Sequence, residues 1–447
     1  MAHASDAPFS PEANDGVALR LEAARGAEGF FRAAPDAHGR WWLVEPAGRA
    51  MFLRGVHGVR HAAPDADPEE ADAAVLGNAR AAAARAPLDP AARLRAWGFN
   101  AVGLGGDGAG RDDGLAFLAC ADFVRAAPPI AMHGARLPDV FAPDWPRRAE
   151  AHALALCAPL ADERQLLGWV TDDVAGWAQP APSRPARPTL LQICLSLEPT
   201  FAAYHAAWEF TLALHGGQLA AVARAWGEPL ANKEIVREHT RAERALASRG
   251  YLRDHARWTG EFARRYFATT AHALRAAAPH HLVLGCRTAG PVGEAVRAAA
   301  LAPAVDVALV DWRELPAPAR GDPVIADGVC WADEEFFRAP AGARGPALTA
   351  VERMLRRGRG ALERMARHPA VAGYVWRQWL DEPGEQPPFA RGLVHRNGAG
   401  AREHTELLAA FHGRAEAARR AVRPAAPATI TAVPPVFSAA SALPATT

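Results

Sequence analysis

The chain of 447 residues has almost no lysine. Lys233 is the only one, so arginine supplies nearly all of the positive charge. Acidic residues balance it, 49 against 50, leaving a net charge of +1. With no excess of either sign there is no electrostatic reason to expect nucleic acid or an anionic membrane as a partner. Long apolar runs are missing as well. No stretch approaches the ~18 consecutive apolar residues of a membrane span, and the opening MAHASDAPFSPEANDGVALR lacks the apolar centre of a cleaved signal. A cytoplasmic protein is the expectation.

Cysteine is scarce too. Cys120, Cys157, Cys194, Cys286 and Cys330 are odd in number, widely spaced, and form no CxxC or Cys/His pattern. Free thiols in a reducing compartment are the simplest reading. His57 and His61 stand four apart and lack the His-x-His spacing of barrel metallohydrolases, so neither a metal nor another cofactor is expected.

What the chain does have is core material, since 50% of it is hydrophobic. Residues 1–28 read as a loose leader, 29–422 as one domain, and the Ala/Pro/Thr tail 423–447 as disordered. GRWWLVEPAGRAMFLRGVHGV reads as a hairpin with arms Trp41–Val44 and Met51–Val56 around a turn at Pro46–Gly48, the second arm running on as barrel strand one. After a helical stretch over 69–97, Phe99–Leu104 is strand two. Strand three is Leu115–Phe123 or Pro129–Met132, and Leu166–Thr171 is strand four. Thr200–Trp226 and Arg237–Ala278 are helical, interrupted at Gly250. His281–Cys286, Val305–Val310, Pro323–Ala326 and Val371–Trp376 are strands five to eight, with a helix over 346–367 before the last. Eight apolar strands separated by helices define an α/β protein, a (β/α)8 TIM barrel with an N-terminal hairpin and a long helical insertion between strands four and five.

In such a barrel the C-terminal strand ends converge on one mouth. Those ends carry His57, Asp107, Asp172, Asp173, Arg287, Asp311, Trp312, Asp327, Trp331, Trp376 and Trp379, with Trp169 inside strand four. Carboxylates, an arginine and several indoles suit a saccharide, whose C–H faces pack on aromatic rings while its hydroxyls take hydrogen bonds. Each has a plainer alternative. Asp172-Asp173 can cap a helix, Arg287 can neutralise a buried acid, and each tryptophan can be core.

Several segments in order, RWWLVEPAGRAMFLRGVHGV, LRAWGFNAVG, LPDVFAPDW, LLGWVTDD, LHGGQLAAVARAWG, HLVLGCRTAG, GYVWRQWLDEP and ARGLVHRNGAGAREHTELL, resemble the β-agarase-like glycoside hydrolases. These are retaining barrel enzymes that cleave β-linked galactans, and the resemblance runs from about Phe30 to Arg414. It implies two catalytic glutamates, one after an Asp-Asn pair at the end of strand four and one ending strand seven. Here Asp173 stands for the Asn and Val174 for the acid/base glutamate, while the nucleophile position falls on Gly328 or Asp327. Trp169, Arg287, Trp376, Trp379 and Asp381 keep their motif places, and Asp311-Trp312 keeps only the aromatic of its pair. Glu403, His404 and Glu406 read as structural, closing the last helix.

Two functions follow from the resemblance. One is a hydrolase of β-linked galacto-oligosaccharides or related glycosides, with Asp172, Asp173 and Asp327 sharing the acid, base and nucleophile roles. An Asp173/Asp327 pair, each one methylene shorter than glutamate, suits the wider ~6.5–9.5 Å of an inverting site better than the ~5–5.5 Å of a retaining one. Asp107 and Glu334 are further acids that could serve. The other is a saccharide-binding barrel without turnover, contacting sugar through His57, Trp169, Arg287, Asp311, Trp312, Trp331, Trp376 and Trp379. A barrel kept for protein interaction is the third.

Overall fold

The computed structural model describes residues 17–61, 89–111, 113–173, 175–178, 187–288, 292–301, 303–315, 321–332, 349–385 and 389–421. Val174, Glu334, the tail 423–447 and most of the 69–97 helix lie outside them.

Eight parallel strands make the central sheet: β4 (Leu53–Val56), β5 (Ala101–Val102), β6 (Ala116–Cys120), β9 (Leu166–Val170), β11 (Leu282–Val283), β12 (Ala308–Asp311), β13 (Val324–Val329) and β14 (Val371–Trp376). Their order is β11-β9-β6-β5-β4-β14-β13-β12. Backbone bonds from Asp306, Val307 and Leu309 to the carbonyls of Val283 and Leu284 join the two ends, so the sheet closes on itself. Strand three of the barrel is therefore the Ala116–Cys120 segment. Pro129–Ile130 is β7, which pairs antiparallel with β8 (Ala135–Pro138); β8 also pairs with β10 (Gly176–Trp177) beside the barrel.

The strands read as unbroken apolar runs because both faces are covered, as in parallel sheets generally. Leu53, Leu118, Leu167, Val170, Leu284, Leu309, Ile325 and Val375 fill the interior. The N-terminal hairpin closes the bottom. β2 (Trp41–Val44) pairs with β3 (Ala50–Met51) and with β1 (Arg32–Pro35), a strand that the composition gives no cue for. Phe31, Trp41, Leu43 and Met51 join the interior cluster from below. The second hairpin arm breaks at Phe52 before continuing as β4.

The 1–28 leader is not loose throughout. From Val17 on it is fixed to the barrel: Val17 is buried, Leu19 bridges Asp36, and Arg25 pairs with Asp322 at 2.6 Å.

Helices cover the outside: α1 (Pro90–Ala96), α2 (Trp145–Cys157), α7 (Arg249–Ala277), α8 (Glu294–Ala299), α9 (Ala350–Arg367) and α10 (Arg402–Ala421). α9 starts with a capping box in which the Thr349 hydroxyl accepts from the Glu352 N–H and Glu352 accepts from the Thr349 N–H. The insertion between β9 and β11 supplies α3 (Leu190–Ser196), α4 (Ala202–Leu214), α5 (Leu219–Trp226) and α6 (Glu234–Arg241) ahead of α7. Gly250 lies in the first turn of α7, so the break falls before it, between Arg241 and Arg249. Among the described residues no helix is long and apolar enough to cross a membrane.

Candidate active site

Four side chains from four strand ends meet at the C-terminal mouth. Arg287, just beyond β11, donates through Nε to Asp327 Oδ2 at 2.9 Å and through Nη1 to Asp173 Oδ1 at 2.6 Å. His57, just beyond β4, donates from Nε2 to Asp327 Oδ1 at 2.8 Å. Its Nδ1 accepts the Leu104 N–H at 3.0 Å, which places a ring proton on Nε2. Each Asp327 oxygen thus accepts one hydrogen bond. Burial works against its charge, but His57 and the Arg287 guanidinium together hold the carboxyl below the usual range. Burial likewise works against the Arg287 cation, and the two carboxylates more than offset it.

Asp173 is the more open acid, with 35% of its side chain exposed. Its backbone carbonyl accepts from Arg136 Nη1 at 3.2 Å. Asp172, one residue earlier, faces the other way. It is 1% exposed, accepts the Val124 N–H at 2.8 Å, and accepts from the Tyr266 hydroxyl on α7. Burial pushes its carboxyl up to about 7, with the Tyr266 and Val124 bonds pulling the other way. With a value near 7 Asp172 is part protonated at neutrality, and both its oxygens are bonded away from the Arg287 cluster, to Val124 and Tyr266.

Four of the indoles are buried as well. Trp169, Trp331, Trp376 and Trp379 are at most 2% exposed and belong to the core cluster that includes the covering helices. Trp331 Nε1 donates to His404 Nδ1 at 3.1 Å, and its ring meets Trp376 edge-on at 4.5 Å. Trp376 Nε1 donates to the Arg391 carbonyl at 3.1 Å. Trp379 packs on Trp97. None of the four exposes a ring face to solvent. Trp312 is half-buried against the same core. Asp311 is claimed by Arg313 at 3.0 and 2.7 Å and has no bond to the Arg287 cluster among the described residues. Asp107 pairs with His61 at 3.2 Å on the exposed rim.

Two register shifts explain why the tryptophans turn away. β9 carries an extra residue at Leu167 against β6, since Phe117 opposes Leu166 and Leu118 opposes Gly168. β13 carries another, since Ala326 opposes Tyr374 and Val329 opposes Trp376. One extra residue reverses the alternation of everything after it. Trp169 and Trp331 are therefore sent outward, while Asp327, still in regular register with Asp311 of β12, stays inward.

Sequence reasoning passed over Tyr266, the partner of Asp172, which carries no signal beyond helical spacing. It also passed over Arg136, which lies on a hairpin outside the barrel count. His395, 2.8 Å from Asp381, fixes that motif aspartate as a tie between two loops. Among the described residues no group of three His, Cys, Asp or Glu side chains is placed to hold a metal, and all five cysteines are free thiols.

A closed parallel barrel with its polar residues gathered at the C-terminal mouth is the general plan of (β/α)8 proteins. No protein-family model matches the chain, and no curated protein sequence does. Solved structures do. An exo-β-agarase superimposes with TM-score 0.62 at 18% identity, over 89% of this chain and 66% of its own. An agarase does so with TM-score 0.60 at 19% identity, over 90% and 66%, and BpGH50 with TM-score 0.61 at 15% identity, over 91% and 86%. The chain has the fold of the β-agarases and spans 66% of the length of each of the first two.

Proposed function

We propose that this barrel binds saccharides of the β-linked galacto-oligosaccharide class and does not cleave them. The observation that carries this reading is the single guanidinium of Arg287 bonded to both mouth carboxylates. A retaining or inverting glycosidase needs one carboxyl to deliver a proton to the leaving oxygen. Asp327 is held ionised, with one hydrogen bond on each oxygen. Asp172, part protonated at neutrality, is buried and bonded away from that cluster. The likeness in fold to agarases supports the ligand class, and the charged bowl supplies donors and acceptors for hydroxyl groups.

A hydrolytic reading keeps one specific support, since an ionised Asp327 steadied by His57 and Arg287 is the state that a nucleophile or base requires. Calorimetric titration with neutral galacto- and agaro-oligosaccharides, run beside a turnover assay on the same sugars and on aryl β-galactosides, separates the readings. Binding without turnover is expected. Turnover that disappears in Asp327→Ala would overturn the proposal, and no binding at millimolar sugar would favour a protein-interaction role instead.

A further inference from the structure

Next to the bowl lies a second polar surface. β8 pairs with β10 so that Arg136 stands opposite Gly176, three residues after Asp173, and this register lets its guanidinium reach the Asp173 carbonyl. The same side chain lines an open pocket of about 680 Å³, together with Arg125 and His133, over an apolar floor that includes Val124, Ala127 and Ala135. Arg125 pairs with Asp122 at 2.7 Å, and Arg136 stands 3.9 Å from the same carboxylate. Two guanidiniums against one carboxylate leave a positive charge over. Their side chains are 77% and 48% exposed, so an incoming group meets them directly.

The surplus is local. Beyond the Pro129–His133 turn a smaller pocket of about 330 Å³ carries Arg237 and Arg241, but there Glu198 and the Glu234 they share balance them. Only the side facing the mouth is left positive. Guanidiniums bind planar or tetrahedral oxyanions through paired N–H donors, which is the chemistry of a sulfate ester or a carboxylate. A sugar ring carrying such a group would set its C–H face on the apolar floor.

We infer that this pocket is a subsite for an anionic substituent, a sulfate ester or a uronate carboxylate, on the saccharide held at the mouth. The inference rests on the saccharide reading given above. It selects acidic galactans over neutral ones, with Arg125 and Arg136 as the specificity-determining residues.

The test is titration of the full chain with three galacto-oligosaccharides of equal length, one neutral, one sulfated and one oxidised to the uronate. At low salt at least one anionic chain should bind about tenfold more tightly than the neutral one, the range of charge-assisted hydrogen bonds. The margin should narrow at physiological salt. Arg125→Ala and Arg136→Ala should each shrink the anionic-to-neutral ratio about threefold, and Arg136→Lys should restore it only in part because the fork is lost. Whichever anionic chain is preferred identifies the substituent. Equal binding of neutral and anionic sugars overturns this inference while leaving saccharide binding standing. A preference that survives in the Arg125→Ala/Arg136→Ala double variant overturns the placement. If none of the three binds, the saccharide reading itself fails, and the subsite with it.

Discussion

Gly103 stands where any side chain would collide with His57: a Cβ placed on it would lie 2.5 Å from the imidazole Nδ1. The residue after it, Leu104, donates the N–H that sets the tautomer of the same ring. Gly103→Ala should therefore push His57 off Asp327 and cost about 1–3 kcal/mol, the usual penalty for overfilling a packed site. Urea unfolding measures the loss, and the imidazole resonances of His57 report the displacement. Unchanged resonances would show that the ring is not pinned.

Arg287→Met should destabilise the fold by about 2–4 kcal/mol. Stranding a buried carboxylate costs about 3–5 kcal/mol, and the share belonging to Asp173 is reduced by its exposure to water. Adding Asp327→Asn should return part of that loss, because the stranded charge goes with it. A double variant less stable than Arg287→Met would contradict the ion-pair account.

Stability should depend on pH in two opposed ways. Asp172 holds its proton more tightly folded than unfolded, so its contribution is largest in acid and fades as pH climbs from the ordinary carboxylate range to about 7. The slope there is at most about 1.4 kcal/mol per pH unit. Asp327, held low, contributes above the ordinary carboxylate range and loses its contribution as pH falls through its folded value. Asp172→Asn should flatten the limb between about 4 and 7, and Asp327→Asn the more acidic limb. Urea midpoints across that range would reveal it, and identical profiles for wild type and Asp172→Asn would refute the buried-proton assignment.

Trp331→Phe should lower stability by roughly 1–3 kcal/mol through a lost hydrogen bond and a smaller ring, and leave saccharide affinity within about twofold. A large loss of affinity at unchanged stability would put the indole back in the mouth.

Gly328→Glu should lower stability. The φ of Gly328 is +65° within the β13 bulge, so although open space surrounds it, an L side chain there is strained by about 1–2 kcal/mol. Gly328→Ala tests the strain alone by urea unfolding.

The barrel was readable because a strand covered on both faces keeps an apolar run, and Leu166–Val170 and Val371–Trp376 declare themselves that way. Double coverage is also what hid the direction of each side chain. Trp169 and Trp331 sit at the right strand ends and face the wrong side, because one extra residue in β9 and one in β13 reverse the alternation, and neither leaves an unmistakable mark in the residue types. His57, Asp173, Arg287 and Asp327 were legible as strand-end polar groups. That Arg287 would bond to two of them was not, since the β11 and β13 segments it links lie 40 residues apart in the chain. Of the small sheet of β7, β8 and β10 only the β7 segment was picked out, as an alternative strand three, because two of its strands have only two residues each.

Where β11 meets β12 the backbone bonds come from the amides of Asp306, Val307 and Leu309, and the Val283 N–H answers only to the Asp306 side chain. Every other neighbouring pair shares a register of at least two residues. The cask is thinnest at that joint, and Arg287 is mounted on the very stave beside it. Local opening of the wall should begin there, and faster amide exchange at Val307 and Leu309 than at Val375 would report it.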